Sequence, residues 1–161
     1  MQTKISAIIH VRKRTLEVVG RALDSLRVCE ELIVVDHGGA DETIRIAREH
    51  GARVLRAAAD EDAAACAGHA TYDWVLCLRP EESLTEALEA SLFEWRLAAH
   101  TDEETACNIA IREQRGTGWR LLPAETRLVN CRKTRWSGEM PAADASAPLL
   151  QGHILRIPDI N

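Results

Sequence analysis

Apolar positions in the first hundred residues fall into short runs, separated by stretches of helical period. "KISAIIHV" reads as a buried strand over Ile5–His10, broken by the charges of Arg12, Lys13 and Arg14. Leu16, Val19, Ala22, Leu23 and Leu26 then recur three and four apart, a helix that Thr15 is placed to cap. The clearest unit is "ELIVVDHGGADETIRIAREHGARVL", Glu31 to Leu55. An apolar strand over Leu32–Asp36 ends at Asp36, and Gly38 and Gly39 make a turn. Ile44, Ala47 and Arg48 keep helical spacing, and Gly51 precedes a further strand over Arg53–Arg56. That is one βαβ unit. Asp41 is expected as its N-cap, accepting free N–H groups of the first turn. Gly51 is expected at C′, where a left-handed conformation costs glycine little.

"AAADEDAAACAGHA" is alanine-rich and partly helical, and "DWVLCL" gives a fourth strand over Trp74–Leu78. "RPEESLTEALEASLFEWRLAAH" follows with a long amphipathic helix, for which Ser83 and Glu86 fit a capping box. The order βαβαβ(α)βα argues for a mostly parallel sheet with helices on both faces. After about His100 the pattern changes. "ETACNIAIREQ", "GWRLLP" and "TRLVNCRK" are β-rich, "RGTG" marks a turn, and "LLQGHILRI" reads as a final strand. "WSGEMPAADASAP" reads as a loop. The expectation is one α/β domain over residues 1–161, Rossmann-like, with an antiparallel C-terminal portion. Ligands of such sheets lie beyond the carboxyl ends of the parallel strands, where Asp36 stands.

Composition narrows the classes. With 161 residues, 46% hydrophobic and 28% charged, the chain can bury a real core. A net charge of −5 argues against nucleic acid as a partner. No apolar run approaches the roughly 20 residues of a transmembrane segment, and the N-terminus lacks a signal peptide's apolar stretch. The five cysteines form no C-x-x-C, so reduced thiols and a cytoplasmic location are expected. Cys77, inside an apolar run, is most simply a small core residue.

The wording of "ISAIIHV", "ALDSL", "EELIVVDHGGADETIRIAREHGARVL" and "ATYDWVLCLRPEESLTEAL" resembles the nucleotide-binding half of family 2 glycosyltransferases. More narrowly, it is similar to bacterial members related to lipopolysaccharide core transferases. "TRLVNCRKTRWSGEM" also resembles that subgroup's "RLF-R…W-G" stretch, and "VVDHGGADET" is the most specific match, close to "VVD-G-S-D-T". The resemblance implies a glycosyltransferase A-type fold holding a nucleotide-sugar and transferring the sugar to an acceptor. It implies that Asp36 and the neighbouring Gly38 contact the nucleotide and that His10, Val11 and Arg12 line the base pocket. At this length the chain is short for an intact family member.

The departures concern the chemistry. The family's Asp-x-Asp metal motif falls on Arg79, Pro80 and Glu81. A hard divalent ion such as manganese wants oxygen ligands, and only Glu81 supplies one. Like unit charges ~4 Å apart repel by ~4 kcal/mol at an effective dielectric of ~20, and a divalent ion doubles that, so Arg79 opposes the metal. The same arginine can replace it on a diphosphate. The family's Arg-Asn pair aligns with Ala63 to Cys66, and its "VHE" with Met140, Pro141 and Ala142. Glu82 is left as the nearby candidate base.

Each of these residues also has a plainer reading. Asp36 can brace the turn at Gly38 and Gly39, and His10 can be a hydrogen-bonded structural histidine. Glu81 and Glu82 can be the acidic start of a helix. Arg79 can pair with either glutamate, and Trp119 and Trp136 can be core anchors. Three functions fit: an atypical sugar transferase, an inactive transferase-derived binding module with or without nucleotide affinity, and an unrelated nucleotide-binding α/β domain. Sugar, nucleotide, acceptor and oligomeric state have no signature in the sequence.

Overall fold

In the computed structural model, which describes residues 2–13, 19–58 and 61–158, an eight-stranded sheet runs through the molecule. Its first half is parallel. β1 (Ile5–Val11) lies between β2 (Glu31–Asp36) and β4 (Trp74–Leu78), and β3 (Arg53–Arg56) forms the outer edge. β1 and β4 are buried at every position, which their unbroken apolar runs require. The four expected strands all form. Thr15 and Leu16, expected to cap and begin the first helix, lie outside the described residues; α1 (Val19–Asp24) carries Val19, Ala22 and Leu23 into the core.

Helix α2 (Asp41–Glu49) corrects one cap. Ala40 is the N-cap and makes no side-chain cap bond, while Asp41 is the first helical residue. There its charge still complements the helix dipole. Gly51 follows the helix with φ of 81°, as expected of a C′ residue. The short α3 (Ala63–Ala67) is capped by Asp62, whose carboxylate accepts from Ala65 N at 2.8 Å.

Beyond β4 the chain forms β5 (Glu82–Leu84) and then α4 (Glu86–Leu97). The expected capping box is displaced. Ser83 is spent inside β5, and Thr85 is the N-cap, its Oγ1 accepting from Leu88 N at 3.2 Å. Thr85 Oγ1 also accepts from His153 N at 3.1 Å, tying the helix start to the last strand.

The C-terminal part is the antiparallel extension. β6 (Ala106–Arg115) and β7 (Gly118–Asn130) form a long hairpin, so that "GWRLLP" and "TRLVNCRK" belong to one strand with register shifts. β7 docks antiparallel on β4 and joins the two halves of the sheet. β10 (Leu149–Arg156) runs parallel to β6 and antiparallel to β5. Within the segment read as a loop, β8 (Trp136–Ser137) and β9 (Met140–Pro141) form a small hairpin. Gly152 passes so close to α4 that an added Cβ would lie 2.3 Å from Leu88 N, and its φ is 98°. Of the two tryptophans read as core anchors, Trp136 packs against the smaller apolar cluster. Trp119 is 42% exposed at the hairpin end, with the Arg112 guanidinium over its ring.

Candidate functional site

The register sets the site. Val11 pairs with Asp36, Asp36 with Arg56, and Ile9 with Leu78, so the carboxyl ends of β1, β2, β3 and β4 open on one edge. Asp36 and Arg79 stand on that edge together. They face different cavities. One, of about 480 Å³, is lined by His10, Arg12, Arg79, Glu81, Glu125 and Glu139 among others. The other, of about 830 Å³, is lined by Asp36, Gly38, Gly39, Arg48 and Arg56 among others.

Asp36 braces its turn. Its Oδ1 accepts from Gly38 N at 2.9 Å and from Gly39 N at 2.6 Å, while Gly38 takes a φ of 91° that few side chains tolerate. Oδ2 takes no bond among the described residues. Val11 is fully buried, so its side chain cannot face a ligand; its carbonyl accepts from His37 N at 2.9 Å.

His10 ends inside the sheet, 7% exposed, and its Nδ1 lies 2.7 Å from Nε2 of His37 with the rings stacked. Burial, then the neighbouring His37 and Arg12, lowers the His10 pKa to about 4. His37 is lowered too, by burial and then Arg12. Both rings are therefore neutral at pH 7, and one ring nitrogen of the close pair carries the shared proton. Arg12 reaches across to pair with Glu139, on the turn between β8 and β9. Neither His37 nor Glu139 stood out in the sequence. His37 directly follows Asp36 at a strand end, a legible signal, whereas Glu139 arrives from far along the chain.

Glu82 lies in the opposite setting. It is 1% exposed and does not line the open cavity. Its Oε1 and Oε2 accept from Nη1 and Nη2 of Arg127 at 2.7 and 2.9 Å, a bidentate fork with both side chains fully buried. Arg156 Nε adds a bond to Oε2 at 3.1 Å, and Arg79 N one to Oε1 at 2.8 Å. Burial works to raise the Glu82 carboxyl. Arg127, the Arg79 amide and Arg156 outweigh it and hold the pKa below the ordinary value. Burial opposes the Arg127 charge in turn, but Glu82 and Glu125 raise its pKa. An anion held on all sides cannot take a proton from an acceptor hydroxyl, so the geometry suits Glu82 to bracing rather than base catalysis.

Arg79 itself is exposed, and its guanidinium makes no ion pair or hydrogen bond among the described residues. The alternative of a pair with Glu81 or Glu82 is not what the side chain does. The loop Arg79-Pro80-Glu81 offers one carboxylate and one cation, which does not fit a hard divalent ion such as manganese.

No protein-family model matches the chain, and no curated protein matches it in sequence. Solved structures do match in shape. TarS of S. aureus superposes with a TM-score of 0.53 at 17% identity, over 75% of this chain and 23% of TarS. A 4-diphosphocytidyl-2C-methyl-D-erythritol synthase superposes with a TM-score of 0.59 at 13% identity, over 94% of this chain and 90% of the synthase. The fold is of the glycosyltransferase A type. The chain carries this fold while spanning less than a quarter of the length of TarS. Among the described residues no helix is long and apolar enough to cross a membrane.

Proposed function

We propose that this domain binds a nucleoside diphosphate or nucleotide-sugar at the carboxyl edge of its sheet, with Arg79 in place of a metal ion. The observation that carries the reading is the Arg79 guanidinium, without a partner among the described residues, on the wall of the cavity that Arg12 also lines. Arginine presents paired donors to phosphate oxygens and keeps its charge at any relevant pH. The nucleoside would extend towards Asp36 and Gly38, where Oδ2 of Asp36 is available. Descent from family 2 glycosyltransferases of the lipopolysaccharide core kind belongs to the same reading, and rests on "VVDHGGADET" and the fold.

A second, catalytic reading is favoured by the carboxylates around the same cavity. Glu139 is held by Arg12 and Glu125 by Arg127, but the Glu81 carboxylate has no partner among the described residues. In sugar transfer the acceptor oxygen would bond to the anomeric carbon as the bond to the diphosphate breaks. The acceptor proton would pass to Glu81, and the leaving electron pair to the diphosphate beside Arg79.

The test is calorimetric titration of nucleoside diphosphates in chelator. Wild type should bind, and Arg79→Ala should lose about 1.5–3 kcal/mol, the range for a hydrogen bond to a charged group. Added manganese should leave the wild-type affinity unchanged. Equal affinities for both proteins, or binding by neither, would remove Arg79 from any ligand role.

A further inference from the structure

The proposed diphosphate site uses Arg79 and leaves a second donor set at the same edge unexplained. One ring nitrogen of His10, one of His37 and a carboxylate oxygen of Glu139 all lie within 4.8 Å of one another. We propose that these three residues form a binding site for a transition-metal ion of the zinc class, separate from the lost carboxylate motif at Arg79-Pro80-Glu81.

The three come from three different places. His10 is fixed in β1, paired in register with Val35, and is nearly sealed from solvent. His37 follows the end of β2, its backbone amide anchored on Val11 O. Glu139 follows Gly138 on the β8–β9 turn, where a φ of 64° at the glycine turns the chain back. Convergence of two imidazoles and one carboxylate from separate elements is the donor set of an open zinc site, with three protein ligands and a free fourth position. That position would face the cavity lined by His10 and Glu139.

The spacing needs little change. Zinc–nitrogen bonds of about 2.0–2.1 Å at a tetrahedral angle hold two ligand nitrogens about 3.3 Å apart. The observed 2.7 Å between the rings is the hydrogen-bonded distance of the metal-free pair. Small side-chain rotations would open it, with the donor ring moving its proton to its other nitrogen. Imidazole selects zinc, nickel or copper over the oxygen-seeking manganese, so the site differs in kind from the family's. Arg12 is the competitor, since it now holds Glu139. Metal binding would release it towards the cavity.

The experiment is titration of zinc into the reduced, chelator-stripped full chain without nucleotide, so its outcome is independent of Arg79. One equivalent should bind. His37→Ala and Glu139→Ala, both on loops, should each lower affinity more than about tenfold, the size reported for disturbing even the outer shell of a metal site. Arg12→Ala should bind at least as tightly as wild type. Cobalt substitution should give visible bands without thiolate charge transfer, separating this site from the five cysteines. No uptake, equal uptake by His37→Ala and Glu139→Ala, a weakened Arg12→Ala, or a thiolate spectrum would each overturn the proposal.

Discussion

Arg127 is the residue whose role the tertiary structure reveals most fully. Its side chain is wholly buried, forked onto Glu82 and bonded to the Cys77 carbonyl at 3.1 Å. A buried pair adds little net stability against an apolar isostere, but stranding one partner is costly. Glu82→Gln should therefore lower unfolding free energy in urea by about 3–5 kcal/mol, while Glu82→Leu with Arg127→Met should cost less than either single change. The pH dependence follows from the lowered Glu82 pKa. Folded Glu82 gives up its charge at a lower pH than the unfolded carboxyl, whose ordinary value is 4.5. Its stabilisation is complete above that value and is lost as pH falls through the folded pKa. Acid titration of stability should show this loss in wild type and not in Glu82→Gln. The identity of Glu82 and its place after Arg79 were legible in the sequence; its burial was not, because a partner on β7 seals it.

Among the elements, α4 separates local pattern from tertiary choice. Both Ser83 and Thr85 are hydroxyl residues ahead of the helical period, and the capping-box spacing favours Ser83. Antiparallel pairing of β5 with β10 takes Ser83 into a strand, and Thr85 becomes the first residue free to cap. Thr85→Ala should cost about 1–2 kcal/mol, since it loses a helix cap and leaves the His153 amide without its hydroxyl partner. Ser83→Ala should stay within about 0.5 kcal/mol. Thermal unfolding of the two variants distinguishes the caps. Asp41, a good capping residue, likewise stands one position inside its helix, with Ala40 as the N-cap directly after the Gly38–Gly39 turn braced by Asp36.

For the whole molecule, the continuous sheet is the decisive feature. Within the sheet the parallel half joins the antiparallel extension where β7 pairs with β4, and Trp74 on β4 packs edge to face on Trp95 of α4, 4.7 Å between ring centres. The larger apolar cluster includes residues from both halves. A single cooperative unit is expected over the described residues. Denaturant curves by far-UV circular dichroism and by tryptophan fluorescence should coincide. Two separated transitions would divide the chain into independent folding units.

The sequence by itself determined the four parallel strands, their order in the chain, the glycine turn after Asp36 and the Arg79-Pro80-Glu81 stretch that follows the fourth strand. These are local properties, carried by unbroken apolar runs, by residue type and by turn chemistry. Only the tertiary structure decided that Asp36 and Arg79 line different cavities and that Glu82 is sealed by Arg127 and Arg156. It also decided that Glu139 meets His10 and His37. Such meetings depend on the long β6–β7 hairpin and the β8–β9 turn folding back over the edge of β1. Pairing register and hairpin docking are non-local, and no periodicity along the chain encodes them.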